Sequence, residues 1–379
     1  MTLRLDAVFS DHMVLCRNKE IRLFGDAESG STVTASLNGA VAAAVASHGR
    51  FEVSLPPLSA GGPYVLTVSD GTTTLTFHDV LIGEVYLAGG QSNMELELQN
   101  ADDGHKLMAE ADNDSVRFLN FPKQAWLDEA AREAERRICW KALKPNVCGD
   151  VSAVAFHFAA RLQAELGVPV GIIDCYLGGT SVTCWLDEAT LRESAAGTYY
   201  LTDYEMQCAG KTVEQFDREN RDFTTKLDAW NAEATAFRAS HIGADWDQVV
   251  AACGACPWNP PVGCKSPYRP AGLANTMLKR VAPYTLTGVL YYQGENDAPR
   301  HTMYATLMST LIVFWRKMFR DLSLPFVFVQ LPMFIDKGVQ DDFTWPWLRM
   351  AQAEVAETVA NTAMVVLIDC GEFNNIHPT

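Results

Sequence analysis

Long apolar runs are missing from this chain. No uninterrupted stretch approaches the roughly 18 residues that a membrane helix requires, although 48% of the 379 residues are hydrophobic. A membrane-spanning role is therefore not expected, and the apolar content is enough for a sizeable core. Positive charge is also short. Thirty Lys and Arg stand against 46 Asp and Glu, a formal net charge of -16. An acidic surface repels nucleic-acid phosphates and anionic membranes, so neither is an expected partner. An uncharged ligand is unaffected by that argument. The opening Met1-Thr-Leu-Arg-Leu-Asp lacks the apolar core and small-residue cleavage site of a secretory leader. The expectation is a cytoplasmic protein as the chain stands, and a periplasmic or secreted one if a leader was removed.

Cofactor motifs are absent too. There is no Gly-x-Gly-x-x-Gly, no Walker loop and no His-Glu-x-x-His, so no cofactor is expected. Ten cysteines are present, and Cys253-Gly-Ala-Cys256 with Cys264 forms their one cluster. A zinc site needs a fourth ligand, and no second Cys-x-x-Cys exists, so no metal is expected either.

The first eighty residues contain short alternating segments: Ile21-Arg-Leu-Phe, Thr32-Val-Thr-Ala-Ser-Leu, Phe51-Glu-Val-Ser-Leu and Tyr64-Val-Leu-Thr-Val. Asn38-Gly39, His48-Gly49, Gly61-Gly62-Pro63 and Asp70-Gly71 punctuate them as turns. This spacing predicts a small β-sandwich domain over 1–81, either a structural cap or a sugar-binding module. From residue 82 apolar runs alternate with helical patterns. Candidate strands begin at Glu84, Val116, Val170, Leu286, Phe326 and Met364. Candidate helices are Val151 to Leu166, Tyr304 to Phe319 and Trp347 to Val359. Such alternation predicts an α/β domain with a parallel sheet covered on both faces, over 82–379. A polar helical stretch from Lys211 to Ala239 and a Pro-rich loop to Pro270 read as an insertion at about 195–270.

Ligands of open α/β sheets bind beyond the carboxyl ends of the strands. Four strand ends here carry small, polar and titratable residues: Gly89-Gly-Gln-Ser-Asn-Met94, Leu177-Gly-Gly-Thr-Ser-Val182, Gln293-Gly-Glu-Asn-Asp297 and Asp369-Cys-Gly-Glu-Phe-Asn-Asn-Ile-His-Pro378. Ser92 at a helix start has an exposed hydroxyl beside free backbone N–H groups, although serine there also serves as an N-cap. His377 is a candidate base for a serine nucleophile. Asp369, Glu372, Asn374 and Asn375 precede it and are candidates to orient its ring. Gly179 could offer a backbone N–H, and Asn296 a side-chain amide, to a developing oxyanion. Gly-Gln-Ser-Asn-Met is not the Gly-x-Ser-x-Gly elbow of α/β-hydrolases.

Gly90-Gln-Ser-Asn-Met94, Gly178-Gly-Thr-Ser181, Tyr292-Gln-Gly-Glu-Asn-Asp297 and Ile376-His-Pro378 resemble, in this order, blocks of the bacterial sialate O-acetylesterases of the SGNH-hydrolase superfamily. Phe9-Ser-Asp-His-Met-Val-Leu15 and Pro325-Phe-Val-Phe-Val-Gln-Leu331 are similar to further segments of that family. The resemblance covers nearly the whole chain, least clearly in the insertion. It implies a flavodoxin-like α/β/α SGNH-hydrolase domain behind the β-sandwich domain. It implies Ser92 as nucleophile, His377 as base and an O-acetylated sugar as substrate, with no cofactor. The oxyanion donors it implies are the Ser92 N–H, Gly179 (Gly178 the alternative) and Asn296. Gln293 is a substitute donor or a support.

Superfamily members commonly carry an aspartate three residues before the histidine, where this chain has Asn374. The triad acid is then Asp369 or Glu372, a main-chain carbonyl takes its place, or Ser92 and His377 act as a dyad. A neutral amide that imposes the wrong tautomer costs roughly 10⁴ in a serine protease. Relatives continue past the histidine into a closing helix, so the C-terminus reads as short. Alternative functions are an acetyl xylan or other polysaccharide-fragment acetylesterase and a non-catalytic carbohydrate-binding protein. A sialic acid carboxylate calls for an arginine, with Arg269 and Arg300 as candidates. Trp185, Tyr199, Tyr200, Trp258 and Tyr268 are candidates for stacking on a sugar.

Overall fold

The computed structural model describes residues 2–241, 244, 246–258, 260–335, 343–372 and 375–378. The N-terminal part supplies β1 (Arg4–Leu5), β2 (Val14–Cys16), β3 (Ile21–Asp26), β4 (Thr32–Leu37), β5 (Ala40–Val45), β6 (Arg50–Leu55), β7 (Gly61–Ser69) and the long β8 (Thr74–Gly90). The remainder supplies β9 (Asn113–Asn120), β10 (Lys141–Leu143), β11 (Val170–Tyr176), β12 (Gly288–Tyr292), β13 (Phe326–Gln330) and β14 (Thr362–Val366).

The chain is a mixed α/β structure with one curled mixed sheet. Its main path runs β10-β9-β11-β8-β12-β13-β14. All neighbours along it are parallel except β10, which pairs antiparallel with β9. Every residue of β11 and β12 is buried. Both faces are therefore covered, as parallel strands joined by helices require. Helix Ala153–Leu166 starts where the Ser152 hydroxyl accepts from the Ala155 N–H at 3.1 Å, and ends at Gly167 with φ +65°. That is the usual pairing of a serine N-cap with a left-handed glycine.

The N-terminal strands form two groups. β1, β3 and β6 make a three-stranded antiparallel sheet. β5, β4, β7 and the first half of β8 pair antiparallel in the other. β8 then continues into the main sheet, so strand pairing is unbroken across residues 81 and 82, where the change of sequence rhythm suggests a boundary. β5 (Ala-Val-Ala-Ala-Ala-Val) escaped the sequence reading, because alanine carries no strand preference. Its alternation becomes visible only when it pairs with β4.

The segment at about 195–270 contains helices Ala195–Cys208, Val213–Ser240 and Trp246–Cys253. The second opens with a capping box between Thr212 and Gln215. Trp230, Ala234 and Val249 form a small apolar cluster of its own, on which Phe237, Cys253 and Cys256 pack. The two cysteines of the Cys-x-x-Cys pair thus serve as core filler there. Among the described residues no helix is long and apolar enough to cross a membrane.

Candidate active site

Strand order reverses around β8, which lies between β11 and β12. The carboxyl ends of these three strands deliver the glycine-rich segments to one place, the position where open α/β sheets bind ligands. A side chain at Gly90 would meet the Tyr292 carbonyl at 2.0 Å, and φ there is +132°, so only glycine fits. The chain then turns through Gln91 into the short helix Ser92–Glu95. Met94 and Glu95 N–H both donate to the Gln91 carbonyl at 2.9 Å. The Ser92 N–H, in the first turn, has no acceptor among the described residues.

Gln91 joins this turn to the segment after β12. Its Oε1 accepts from Gln293 Nε2 at 3.2 Å and from the Asn296 N–H at 3.2 Å. Gln293 is 1% exposed, and Nε2 also donates to the Thr180 carbonyl and to Asp297 Oδ2 at 2.7 Å. Two hydrogens are shared among these three acceptors, which ties Gln293 to the loops around it. Asp297, 1% exposed, collects Ser181 Oγ at 2.6 Å, the Val182 N–H at 2.8 Å and the Tyr200 hydroxyl at 2.7 Å. It pins the β11 loop to the β12 loop.

In that β11 loop the Gly178 N–H donates to Glu95, whose other oxygen accepts from Lys123 Nζ. A Cβ on Gly178 would stand 3.3 Å from the Ser92 Cβ. Gly179 has φ +71°, and a Cβ there would meet Trp258 at 2.5 Å. Its N–H has no acceptor among the described residues. Asn296 is exposed and donates one amide hydrogen to the Gly179 carbonyl at 2.7 Å, which leaves its second hydrogen available.

His377 comes to this cluster through Asn93. The buried Asn93 amide donates to the Ile376 carbonyl at 3.0 Å and to Glu295 Oε1 at 2.5 Å. The residue after Ser92 thereby holds the residue before His377. His377 is half-buried, and burial draws its imidazole below the ordinary range. The negative charge of Glu95 opposes that shift and the positive charge of Arg238 adds to it. No carboxylate hydrogen-bonds to its ring among the described residues. Asp369 is exposed beside Cys370. Glu372 accepts from Asn375 Nδ2 at 2.9 Å, and Asn375 Oδ1 accepts from the His377 backbone N–H at 3.1 Å. Glu372 thus reaches the histidine's backbone, through Asn375. Asn374 lies outside the described residues.

Several sugar-contact expectations need correction. Trp185 is fully buried with its indole N–H on Thr180 Oγ1 at 3.1 Å, and Tyr200 is 6% exposed with its hydroxyl on Asp297. Neither can stack on a ligand. Arg269 Nη1 is held by the Ser266 and Ala125 carbonyls at 2.6 and 2.7 Å, and Arg300 pairs with Asp203 at 2.7 Å. Tyr199 and Trp258 remain exposed. Glu95, Asn93 and Glu295 escaped the sequence reading. The one local signal was the three-residue step from Ser92 to Glu95, which puts both on one helical face.

Glu295 is buried, its Oε2 has no partner among the described residues, and burial pushes its carboxyl up to about 7 against the opposing hydrogen bonds from its own backbone and from Asn93. The folded state therefore holds a proton that the unfolded chain, near 4.5, releases. This group's contribution to stability is full below pH 4.5 and falls as pH rises to about 7. Glu295→Gln keeps the acceptor for Asn93 and cannot ionise. Thermal unfolding is expected to show the variant roughly 2–5 °C more stable than the parent at pH 8. The gap should close towards pH 5. Equal pH slopes would show that Glu295 does not titrate there.

Residues 257–379 match the family described as carbohydrate esterase, sialic acid-specific acetylesterase. The chain is 26% identical over 355 residues to the sialate O-acetylesterase of Mus musculus, covering 86% of this chain and 59% of the mouse protein. It is 25% identical over 413 residues to that of Rattus norvegicus, covering 99% of this chain and 70% of the rat protein. It thus spans less than two thirds of the mouse relative. A solved structure described as a novel carbohydrate acetylesterase from Xanthomonas citri superposes with a TM-score of 0.73 at 28% identity, covering 99% of this chain and 71% of that one. With the glycine-framed serine turn and the histidine loop held beside it, these matches lead to one conclusion: the chain is similar to the sialate O-acetylesterases and, over residues 257–379, to the carbohydrate esterase family.

Proposed function

We propose that this protein is a carbohydrate O-acetylesterase, specifically a sialate O-acetylesterase, that hydrolyses acetyl esters on sugar hydroxyls. The observation that carries this reading is the Asn93 clamp, which holds the His377 loop against the Ser92 turn. His377 takes the Ser92 proton as Oγ attacks the acetyl carbonyl. The N–H groups of Ser92 and Gly179 receive the oxyanion, and the second hydrogen of Asn296 is a third donor. The sugar alcohol leaves with the proton from His377, and water then hydrolyses the acetyl-enzyme by the reverse roles. Ser92 and His377 work as a dyad. Glu372 steadies the loop through Asn375, and Glu95 supplies negative charge to the imidazolium that forms.

For a sialic acid, Arg238 is a better candidate carboxylate partner than Arg269 or Arg300. It is exposed, and its charge is felt at His377. The fold reading extends in the same direction: an SGNH-hydrolase domain carries the chemistry, and the strands before β8 act as a small β-sandwich domain beside it.

The test is acetate release from 4-nitrophenyl acetate, followed by labelling with an organophosphate. Turnover is expected to stop, with one phosphoryl adduct on the peptide bearing Ser92. Turnover with an adduct elsewhere would overturn the assignment of the nucleophile. No turnover and no adduct would favour a sugar-binding protein without catalysis.

A further inference from the structure

We propose that a cavity linked to the serine turn through Lys123 and Glu95 is a second carbohydrate subsite, taking an uncharged sugar unit of the glycan that carries the acetylated residue. The proposal rests on the esterase reading above. The cavity is open to solvent and offers about 390 Å³ between loop 122–128, helix Glu129–Arg137 and the first turns of helix Val213–Ser240. That volume falls within the range of small-molecule sites. Lys123, Gln124, Trp126, Asp217, Asn220 and Lys265 are in its wall.

Three observations point to a sugar. Trp126 is 45% exposed, with the Arg269 guanidinium 5.6 Å from its ring centre. The cation steadies the indole, and the exposed ring surface is an apolar plate suited to the C–H face of a pyranose. Gln124 is 4% exposed, and its Oε1 has no hydrogen-bond partner among the described residues. A buried acceptor left unpaired calls for a donor, which a sugar hydroxyl supplies. The charges in the wall are also balanced. Lys123 pairs with Glu95, Lys265 pairs with Asp217 at 3.0 Å, and Asp128 caps its helix at the Ala131 N–H at 2.9 Å. Such a wall offers many donors and acceptors without a net field, which favours an uncharged ligand over an acidic one.

The cavity joins the candidate active site through a short path. Lys123 in its wall donates to Glu95, and Glu95 accepts the Gly178 N–H beside Ser92. A glycan with its acetylated end at Ser92 would thus place a neighbouring unit against Trp126.

The experiment compares kcat/KM for O-acetylated sialyllactose with that for free O-acetyl sialic acid, for the parent protein, Trp126→Ala and Asn220→Ala. The oligosaccharide-to-monosaccharide ratio is expected to fall roughly tenfold in Trp126→Ala. It should fall less, in the same direction, in Asn220→Ala. A ratio unchanged in both variants would overturn the subsite. Should the protein show no esterase activity at all, saturation-transfer NMR with lactose decides the matter separately. Transfer lost on Trp126→Ala supports the subsite, and no transfer to the parent protein overturns it.

Discussion

Replacing Ser92 by alanine is expected to lower acetyl-ester turnover by roughly 10⁴-fold or more, and adding His377→Ala is expected to lower it hardly further. The physical reason is that the two groups act as one unit in the proposed mechanism. The imidazole has no proton to take once the hydroxyl is gone. The hydroxyl is a weak nucleophile at neutral pH without the base. What survives in either variant is the contribution of the backbone donors at Ser92 and Gly179, which does not need the serine oxygen. Initial rates with 4-nitrophenyl acetate on the two single variants and the double variant check this. Losses that multiply would mean the two residues serve separate steps. Turnover that survives Ser92→Ala would mean another nucleophile. The proposed base must be neutral to work, and burial holds the His377 imidazole below its ordinary range. The acid limb of kcat/KM is therefore expected at a lower pH than for a solvated histidine.

Asn93→Ala is expected to lower kcat by roughly 100-fold while changing KM for a small acetyl ester little. Asn93 touches no reacting atom in the proposed mechanism. Its amide holds the Ile376 carbonyl and Glu295, and both lose a partner in the variant. The histidine loop is then free to shift, and a displacement of about 1 Å at a reacting pair costs on this scale. A structural defect alone would lower the melting temperature and the amount of active protein, leaving kcat per active site intact. Titrating active sites with the organophosphate separates the two. A slower labelling rate on fully labelled protein supports positioning. A normal rate on a reduced fraction of active protein would show that Asn93 serves folding only.

Much of the sheet was legible because its cause is local. The runs at Val170 and Phe326 are apolar on successive residues, as parallel strands with both faces covered must be. The structure has strands at Val170–Tyr176 and Phe326–Gln330. The helix expected from Lys211 to Ala239 is Val213–Ser240, and its capping box is written in Thr212 and Gln215. The extent of β8 was not legible. Its first half alternates and its second half is buried except at the half-buried Tyr86, so one 17-residue strand carries two patterns. The aromatic expectations erred for a similar reason. Composition does not tell a fully buried tryptophan, such as Trp185, from one in a cavity wall, such as Trp126.

The sequence by itself determined that four strand ends carry Gly90-Gln-Ser-Asn, Gly178-Gly, Gln293-Gly-Glu-Asn-Asp and Ile376-His, because glycine, strand periodicity and turn chemistry act over a few residues. Only the tertiary structure decided which of those groups meet. Asn93 bonds Glu295 and Ile376 across 202 and 283 residues of chain, and Glu95 receives Gly178 across 83. Such contacts depend on strand order and on burial. A carboxylate such as Glu372 looks available in the sequence, yet in the fold its side chain meets Asn375.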